Sequence, residues 1–210
     1  MCEENKTKKR YDRIAAIYDK VELILEKAKI GVWRENLWQR VAENVPPNDG
    51  KLLEAGVGTG KNIEYYPENI EIYAIDFSEK MLDRARLKAK KYNKNINLIN
   101  MDIQNLEFAD NYFDIIVTSC VFCSVPDPVQ GLKELKRVCK PEGKIIMLEH
   151  MRTKKEPVGK VMDMFNWVSL YTYGANINRK TMENIDRANL NVVEENNLFS
   201  DIVKEIVLTP

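Results

Sequence analysis

Apolar positions in the first forty-five residues recur at helical spacing. Ile14, Ile17, Val21, Leu23, Ile24 and Leu25 fall roughly on one face, and a second run carries Val32, Trp33, Leu37, Trp38 and Val41. The turn-forming Pro46-Pro47-Asn48-Asp49-Gly50 ends this helical cap. From there the pattern changes to short apolar runs alternating with helical ones. Strands are predicted over Lys51 to Ala55, Glu71 to Ile75, Ile96 to Asn100, Phe113 to Ser119 and Lys144 to Glu149. Between them come a short helix through Ile63 to Tyr66 and a helix opened by Ser78 with Met81, Leu82, Ala85 and Ala89 inward. A third is capped by Asp127-Pro128 and carries Val129, Leu132, Leu135 and Val138. Pro141-Glu142-Gly143 reads as the turn into the fifth strand. After that strand, residues 155 to 175 hold Val158, Val161, Met162, Met164, Phe165, Trp167, Leu170, Tyr171 and Tyr173. That segment is richer in apolar groups than a surface helix needs, so it is expected to cover something. A helix from about Arg179 to Ala188 and two strands, Leu190 to Glu194 and Asp201 to Leu208, complete the chain, with a turn expected at Glu195-Asn196-Asn197.

The fold class that follows is α/β: a Rossmann-like, doubly wound, seven-stranded and mostly parallel sheet with an antiparallel C-terminal strand. Helices cover both faces and a helical cap precedes it. The expected organisation is one structural domain, residues 1–45 forming the cap of an active site and residues 46–210 the sheet domain.

Composition narrows the chemistry. With 210 residues, 44% hydrophobic and 30% charged, the chain can bury a core without staples. Thirty-two basic residues balance thirty-two acidic ones, so the broad positive field of a nucleic-acid binder is missing and no nucleic-acid partner is expected. The longest uncharged stretch, Met164 to Asn178, is too short and polar to span a bilayer, and the N-terminus lacks the apolar core of a secretory signal. A cytoplasmic location is expected, with the four cysteines reduced. Lys6, Lys8, Lys9, Arg10 and Arg13, ahead of an amphipathic helix, allow peripheral contact with an anionic membrane, although a solvated charge run explains them as well.

The sharpest local signal is Leu52-Leu53-Glu54-Ala55-Gly56-Val57-Gly58-Thr59-Gly60-Lys61-Asn62, between a strand and a helix. A phosphate-binding P-loop requires a first Gly where Ala55 stands and a hydroxyl residue where Asn62 stands. A dinucleotide fingerprint requires a third Gly at the position of Lys61. What remains is an acidic residue followed by Gly-x-Gly-x-Gly, and with it the chain resembles the class I S-adenosylmethionine-dependent methyltransferases. The resemblance implies S-adenosylmethionine as cofactor, and S-adenosylhomocysteine as product. It implies Glu54, Gly56, Gly58 and Gly60 around the methionyl and ribose parts, Asp76 on the ribose hydroxyls and Asp102 on the adenine amino group. Phe77, Met81, Ile103 and Ser119 complete the cofactor site it implies. Asp76 lies twenty residues beyond Gly56, a spacing at which α/β nucleotide folds place a ribose-binding carboxylate.

The opening Tyr11-Asp12-Arg13-Ile14-Ala15-Ala16-Ile17-Tyr18-Asp19 is similar to the start of the quinone-biosynthesis C-methyltransferases and the bacterial phospholipid N-methyltransferases. It implies Tyr11 and Tyr18 near the cofactor, where an aromatic face attracts a sulfonium cation; packing within the helix is the plain alternative. Cys120-Val121-Phe122-Cys123-Ser124-Val125, Leu148-Glu149-His150 and Asn178-Arg179-Lys180-Thr181 resemble the membrane-associated alkyl-thiol methyltransferases, without their hydrophobic N-terminal anchor. The Asn/Asp-Pro-Pro-aromatic turn of amino-directed enzymes is replaced by Ser119-Cys120-Val121-Phe122, which disfavours a base or amide acceptor.

The implied reaction is methyl transfer by in-line displacement to a small, lipophilic acceptor: a thiol, a phospholipid amine or a quinone-like ring. Trp33, Cys120, Phe122, Phe165 and Trp167 are the expected walls of the acceptor pocket, and ordinary core packing is their alternative. His150, the one histidine, is a candidate general base if the acceptor needs one. Cys120-x-x-Cys123 has no partner pair for a zinc site, so no metal is expected. Two other readings stay open: a non-catalytic cofactor-binding module, and a nicotinamide-dependent oxidoreductase, against which Lys61 counts.

Overall fold

The computed structural model describes residues 30–47, 50–172 and 174–210. The expectations placed on Ile14 to Leu25, Tyr11 and Tyr18 lie outside the described residues. The first helix, α1 (Gly31–Asn44), turns Arg34, Leu37, Trp38 and Val41 inward, at the i, i+3, i+4, i+7 spacing of one helical stripe.

Seven strands follow among the described residues: β1 (Lys51–Ala55), β2 (Glu71–Asp76), β3 (Asn97–Asn100), β4 (Phe113–Ser119), β5 (Cys139–His150), β6 (Asn191–Phe199) and β7 (Val203–Thr209). They form one sheet in the order β3-β2-β1-β4-β5-β7-β6. Strands β1 to β5 pair in parallel, while β7 runs antiparallel to both β5 and β6, so β7 alone is reversed. This is the expected sheet.

Its central strands read as continuous apolar runs because alternate residues feed two cores. Leu52, Ile115, Val117 and Ile146 pack on one face with Leu37 and Trp38 of α1 and Leu82 of the next helix, α2 (Glu79–Lys91). Leu53, Ile116, Ile145 and Met147 pack on the other with Leu132 and Leu135 of α3 (Pro128–Val138) and Ile185 of α5 (Thr181–Arg187). Caps fix where α2 and α3 begin. Ser78 Oγ accepts from the Met81 amide at 3.3 Å, and the Asp127 carboxylate from the Gln130 amide at 3.0 Å. Such caps contribute about 1 kcal/mol each.

Three expectations need correction. The turn expected at Pro141 to Gly143 is absorbed into β5: Phe113 lies opposite Cys139 and Ile115 opposite Lys144, so the extra residues bulge without ending the strand. β6 continues through Glu195 to Asn197 because each of these three residues pairs with β7, opposite Ile206, Glu205 and Lys204, and the Lys204–Glu195 ion pair spans the two strands. The chain reverses instead at Ser200, whose φ is +51°. The third concerns α4 (Glu156–Thr172), inside the 155 to 175 segment: only Gly159 and Met162 of it are buried. Polar contacts hold this helix. Arg152 grips Asp163 and Glu156, and the Asn166 side chain bridges to Asn176 and Ile177.

Candidate active site

The strand order reverses between β1 and β4, and at such a switch point the two connections leave in opposite directions and open a crevice at the carboxyl ends of the strands. A cleft of about 1140 Å³, its open mouth included, lies there. Its floor is the glycine loop after β1, its far wall the ends of β2 and β3, and its near wall the turn after β4. Arg34 and Ile30 reach it from the start of α1.

The glycine loop is held by β2. The amides of Gly56 and Val57 both donate to the Ile75 carbonyl at 2.9 Å, and that of Gly58 donates to Asp76 Oδ2 at 2.9 Å. Gly58 has a φ of +55°, and a Cβ built on it meets nothing within 4 Å, so it would project into open space. Gly60, at φ +77°, is different: a Cβ there would come 2.9 Å from Ala85 Cα and 2.6 Å from Ile63 Cδ1. One glycine keeps the cleft clear and the other lets α2 approach the loop.

Asp76 is buried and accepts from Gly58 through Oδ2 and from the Ser78 amide at 2.9 Å through Oδ1. Asp76 lines the cleft, and a carboxylate is an acceptor of the kind that a ligand's hydroxyl groups require. Asp102 is shaped by Gln104, whose amide and side chain donate to it at 2.9 to 3.1 Å, while Ile103 beside it is buried and apolar. A polar edge beside an apolar slot suits a flat heterocycle with an exocyclic amine.

Of the residues the sequence pointed to, Gly56, Gly58, Asp76, Phe77, Met81, Asp102, Ile103, Ser119 and Cys120 come together around the cleft. The others are placed elsewhere. Glu54 points away into a buried cluster, where it accepts from Tyr66 and Asn62 while Asn62 accepts from Arg34 at 2.6 Å. Burial pushes the Glu54 carboxyl up to about 7, opposed by the Tyr66 and Asn62 hydrogen bonds and by Arg34, and it drives the Tyr66 phenol well above its ordinary range. Glu54 therefore acts on the cleft at second hand, by anchoring Asn62 and Arg34. Gly60 serves packing. Trp33, on α1, packs half-buried against the core, and Phe122 is fully buried beside Gly131 of α3; neither is among the residues that line the cleft. Phe165 and Trp167 stand outward on α4, away from the cleft.

His150 is also placed apart from the cleft. It closes β5 opposite Val203 and lies outside the residues that line the cleft. Its neighbour Glu149 faces the turn after β4, and the strand pleat sends adjacent side chains to opposite faces. Burial lowers its pKa, as a cation loses hydration there. Cys120 and Cys123 form no redox or metal pair: the Cys123 thiol donates to the Cys120 carbonyl at 3.2 Å and is pushed up to about 12, first by burial. No metal-binding cluster is present among the described residues.

Sequence reading missed three groups. Arg34 is a charge on the inward stripe of α1, and Asn62 stands where a P-loop hydroxyl was sought. Glu149 is a carboxylate inside an apolar central strand. It is fully buried, accepts from Thr118 Oγ1 at 2.9 Å and from the Val121 and Phe122 amides at 3.1 and 3.2 Å, and is pushed up to about 7 by burial. These bonds fold the turn so that Ser119, Cys120 and Val121 face the cleft. Cys120 pays the conformational cost, with a φ of +56° that non-glycine residues seldom adopt.

Residues 53–147, which include the glycine loop, Asp76, Asp102 and the turn after β4, match the family model of a methyltransferase domain. These residues form a methyltransferase domain. A phosphatidylethanolamine N-methyltransferase of Cereibacter sphaeroides is 34% identical over 125 residues, covering 59% of this chain and 62% of that one. A demethylmenaquinone methyltransferase of Staphylococcus haemolyticus is 32% identical over 157 residues, covering 71% and 64%. The chain thus spans less than two thirds of the length of these curated relatives. A SAM-dependent methyltransferase of Aquifex aeolicus shares the fold with a TM-score of 0.58 at 20% identity, over 81% of this chain and 88% of the other.

In this family the cofactor is S-adenosylmethionine, and the open space above Gly58 with the two-sided acceptor Asp76 fits its ribose and methionyl parts. The two glycines then separate by experiment. In Gly58→Ala, the left-handed backbone costs about 1 to 2 kcal/mol, and the new methyl enters the cleft. We expect a folded protein with at least tenfold weaker binding of S-adenosylhomocysteine by calorimetry. Gly60→Ala instead drives a methyl into α2, and we expect a loss of thermal stability larger than that of Gly58→Ala.

Proposed function

We propose that the protein transfers a methyl group from S-adenosylmethionine to a small, lipophilic acceptor. The observation that carries the reading is Asp76: a buried carboxylate at the end of β2 that lines the cleft and braces the glycine loop through Gly58, an acceptor group of the kind a ligand's hydroxyls require. When bound, the cofactor supplies the electrophilic methyl group, so the chain's own task is to bind, to orient and to exclude water. Gly56, Gly58 and Asp76 would hold the methionyl and ribose parts, and Asp102, Ile103 and Phe77 the adenine. The near wall, Cys120, Val121, Ser124, Val125 and Pro126, offers an apolar surface with two small polar groups to an acceptor.

The lining residues among those described include no histidine. An acceptor that ionises or presents a lone pair unaided suits such a wall, as a thiol does near neutral pH. An amine or a quinone-like ring is the other class, and the relatives' names specify phosphatidylethanolamine and demethylmenaquinone. A non-catalytic binding module on the same fold is the second reading, since the fold does not fix function.

Two measurements test this. S-adenosylhomocysteine at one hundred times its dissociation constant should stabilise the protein by about 2.7 kcal/mol, a rise in melting temperature of about 5 to 10 °C for a chain of this size. NAD should leave it unchanged; the opposite pattern would remove the proposal. A screen with methyl-labelled cofactor against alkyl thiols, phosphatidylethanolamine and demethylated quinones is expected to label at least one, and cofactor binding with no labelling would favour the binding module.

A further inference from the structure

The helix α4 turns almost all of its large apolar side chains outward. Val161, Met164, Phe165, Trp167, Val168 and Tyr171 are exposed, with Trp167 at 70% and Tyr171 at 76%. At 100° per residue these six span about half of the helix circumference, and the buried side is left to Gly159, Met162 and the half-buried Asn166 and Ser169. Lys160 is the one charged residue inside the apolar arc; Asp163 stands at its edge, gripped by Arg152. A continuous apolar patch of this kind on a folded protein marks a contact surface.

Its chemistry points to one occupant. Trp and Tyr at the rim of an apolar stripe are the side chains that settle at the boundary between acyl chains and headgroups. The charges beside it are basic in excess: Arg152, Lys154, Lys155 and Lys160 against Glu156, Asp163 and Asp201, of which Arg152 engages the first two while Asp201 accepts from Thr153 and the Lys154 amide. That excess is complementary to an anionic lipid surface and not to a second copy of the same basic face.

The patch is also tied to the cleft. From its inner side Asn166 bonds Asn176 and Ile177 at 3.0 and 2.9 Å, Asn176 donates to the Cys123 carbonyl at 2.8 Å, and Arg179 donates to the Val125 carbonyl at 2.9 Å. Ser124 and Val125 belong to the wall that would face the acceptor. A surface resting on lipid through α4 is thus linked by a chain of hydrogen bonds to the acceptor side of the cleft.

We propose that the outer face of α4 seats on an anionic bilayer surface, so that an acceptor dissolved in the membrane reaches the cleft beside it. The second half of this statement rests on the lipophilic acceptor proposed above; the first stands on the surface alone. It differs from the membrane contact expected of the basic N-terminal segment, which lies outside the described residues.

The full chain is mixed with vesicles of phosphatidylglycerol or phosphatidylcholine, some with brominated acyl chains, and tryptophan fluorescence is followed. Trp38 is buried and Trp33 half-buried, so Trp167 is the reporter free to change. We expect a blue shift and bromine quenching with phosphatidylglycerol, both absent in Trp167→Phe. Val161→Asp with Phe165→Asp should lower partitioning at least tenfold. Lys154→Glu with Lys155→Glu and Lys160→Glu, which leaves the apolar side chains in place, should abolish the preference for the anionic lipid.

Calorimetry with S-adenosylhomocysteine on the same samples reports whether each variant is folded. It also separates the two readings: vesicle binding without cofactor binding sinks the enzymatic proposal alone, and the reverse sinks this one. The inference is overturned if Trp167 does not respond to vesicles. It is also overturned if partitioning survives the Asp and Glu variants but not removal of residues 1–29, or if the face proves to be covered by a second copy in solution.

Discussion

Asp76→Ala should lower affinity for S-adenosylhomocysteine by about a hundredfold or more while the protein stays folded. Two hydrogen bonds to an ionised acceptor are lost, at about 1.5 to 3 kcal/mol each, and each 1.4 kcal/mol is a factor of ten. The fold suffers less, because the amides released are those of Gly58, which faces the cleft and can turn to water, and of Ser78, whose own hydroxyl still caps α2. Calorimetric titration beside thermal unfolding checks both halves. Unchanged affinity would mean that the ribose is held elsewhere, and would leave Asp76 as a brace of the glycine loop.

Glu149→Ala should cost more in stability than any other single change near the cleft. Three donors, the Thr118 hydroxyl and the Val121 and Phe122 amides, converge on this carboxylate inside the protein. A buried donor left without a partner costs about 1 to 3 kcal/mol, and part is returned because a buried carboxylate no longer has to be desolvated. A fall in melting temperature of about 10 °C follows for a net loss near 3 kcal/mol. Cofactor binding should weaken as well, since the released turn carries Ser119 to Val121 into the cleft.

The pH dependence has a definite sign. Burial raises the Glu149 carboxyl from its ordinary 4.5 to about 7, so the folded protein holds this proton to higher pH than the unfolded chain does. Glu149 therefore stabilises the fold fully below about pH 4.5, and that contribution declines as pH rises to about 7. Glu54, raised for the same reason, adds to the trend. Glu149→Gln, which cannot titrate, should flatten the unfolding profile across that window; a profile as steep as that of the parent chain would assign the slope to other groups.

The parallel sheet was legible because its signals are local. Each central strand is an apolar run, Ser78 and Asp127 announce helix starts, and glycines at every second position after β1 leave few explanations. The start of β5 and the course of β6 were not legible: Pro141 and the Asn196-Asn197 pair are turn formers by their own preferences, and pairing with β4 and β7 overrode them. The same division runs through the site. Gly58, Asp76 and Asp102 sit where loops leave strand ends, so order along the chain already placed them near one another. Glu54 and Phe122 are one or two residues from the cleft in sequence, yet the pleat and the turn direct them into the interior.

By itself, then, the sequence determined the order of elements, the two-sided core and the cofactor end of the cleft, since hydrophobic period, cap chemistry and glycine spacing act within a few residues of one another. The tertiary structure alone decided which side chains share a cavity: Arg34 and Asn62 brought to the glycine loop, Glu149 set behind the turn after β4, His150 kept out. It also left the rich apolar run of α4 facing outward. Whether an apolar residue is buried depends on which surface comes to lie against it, and no spacing along the chain records that.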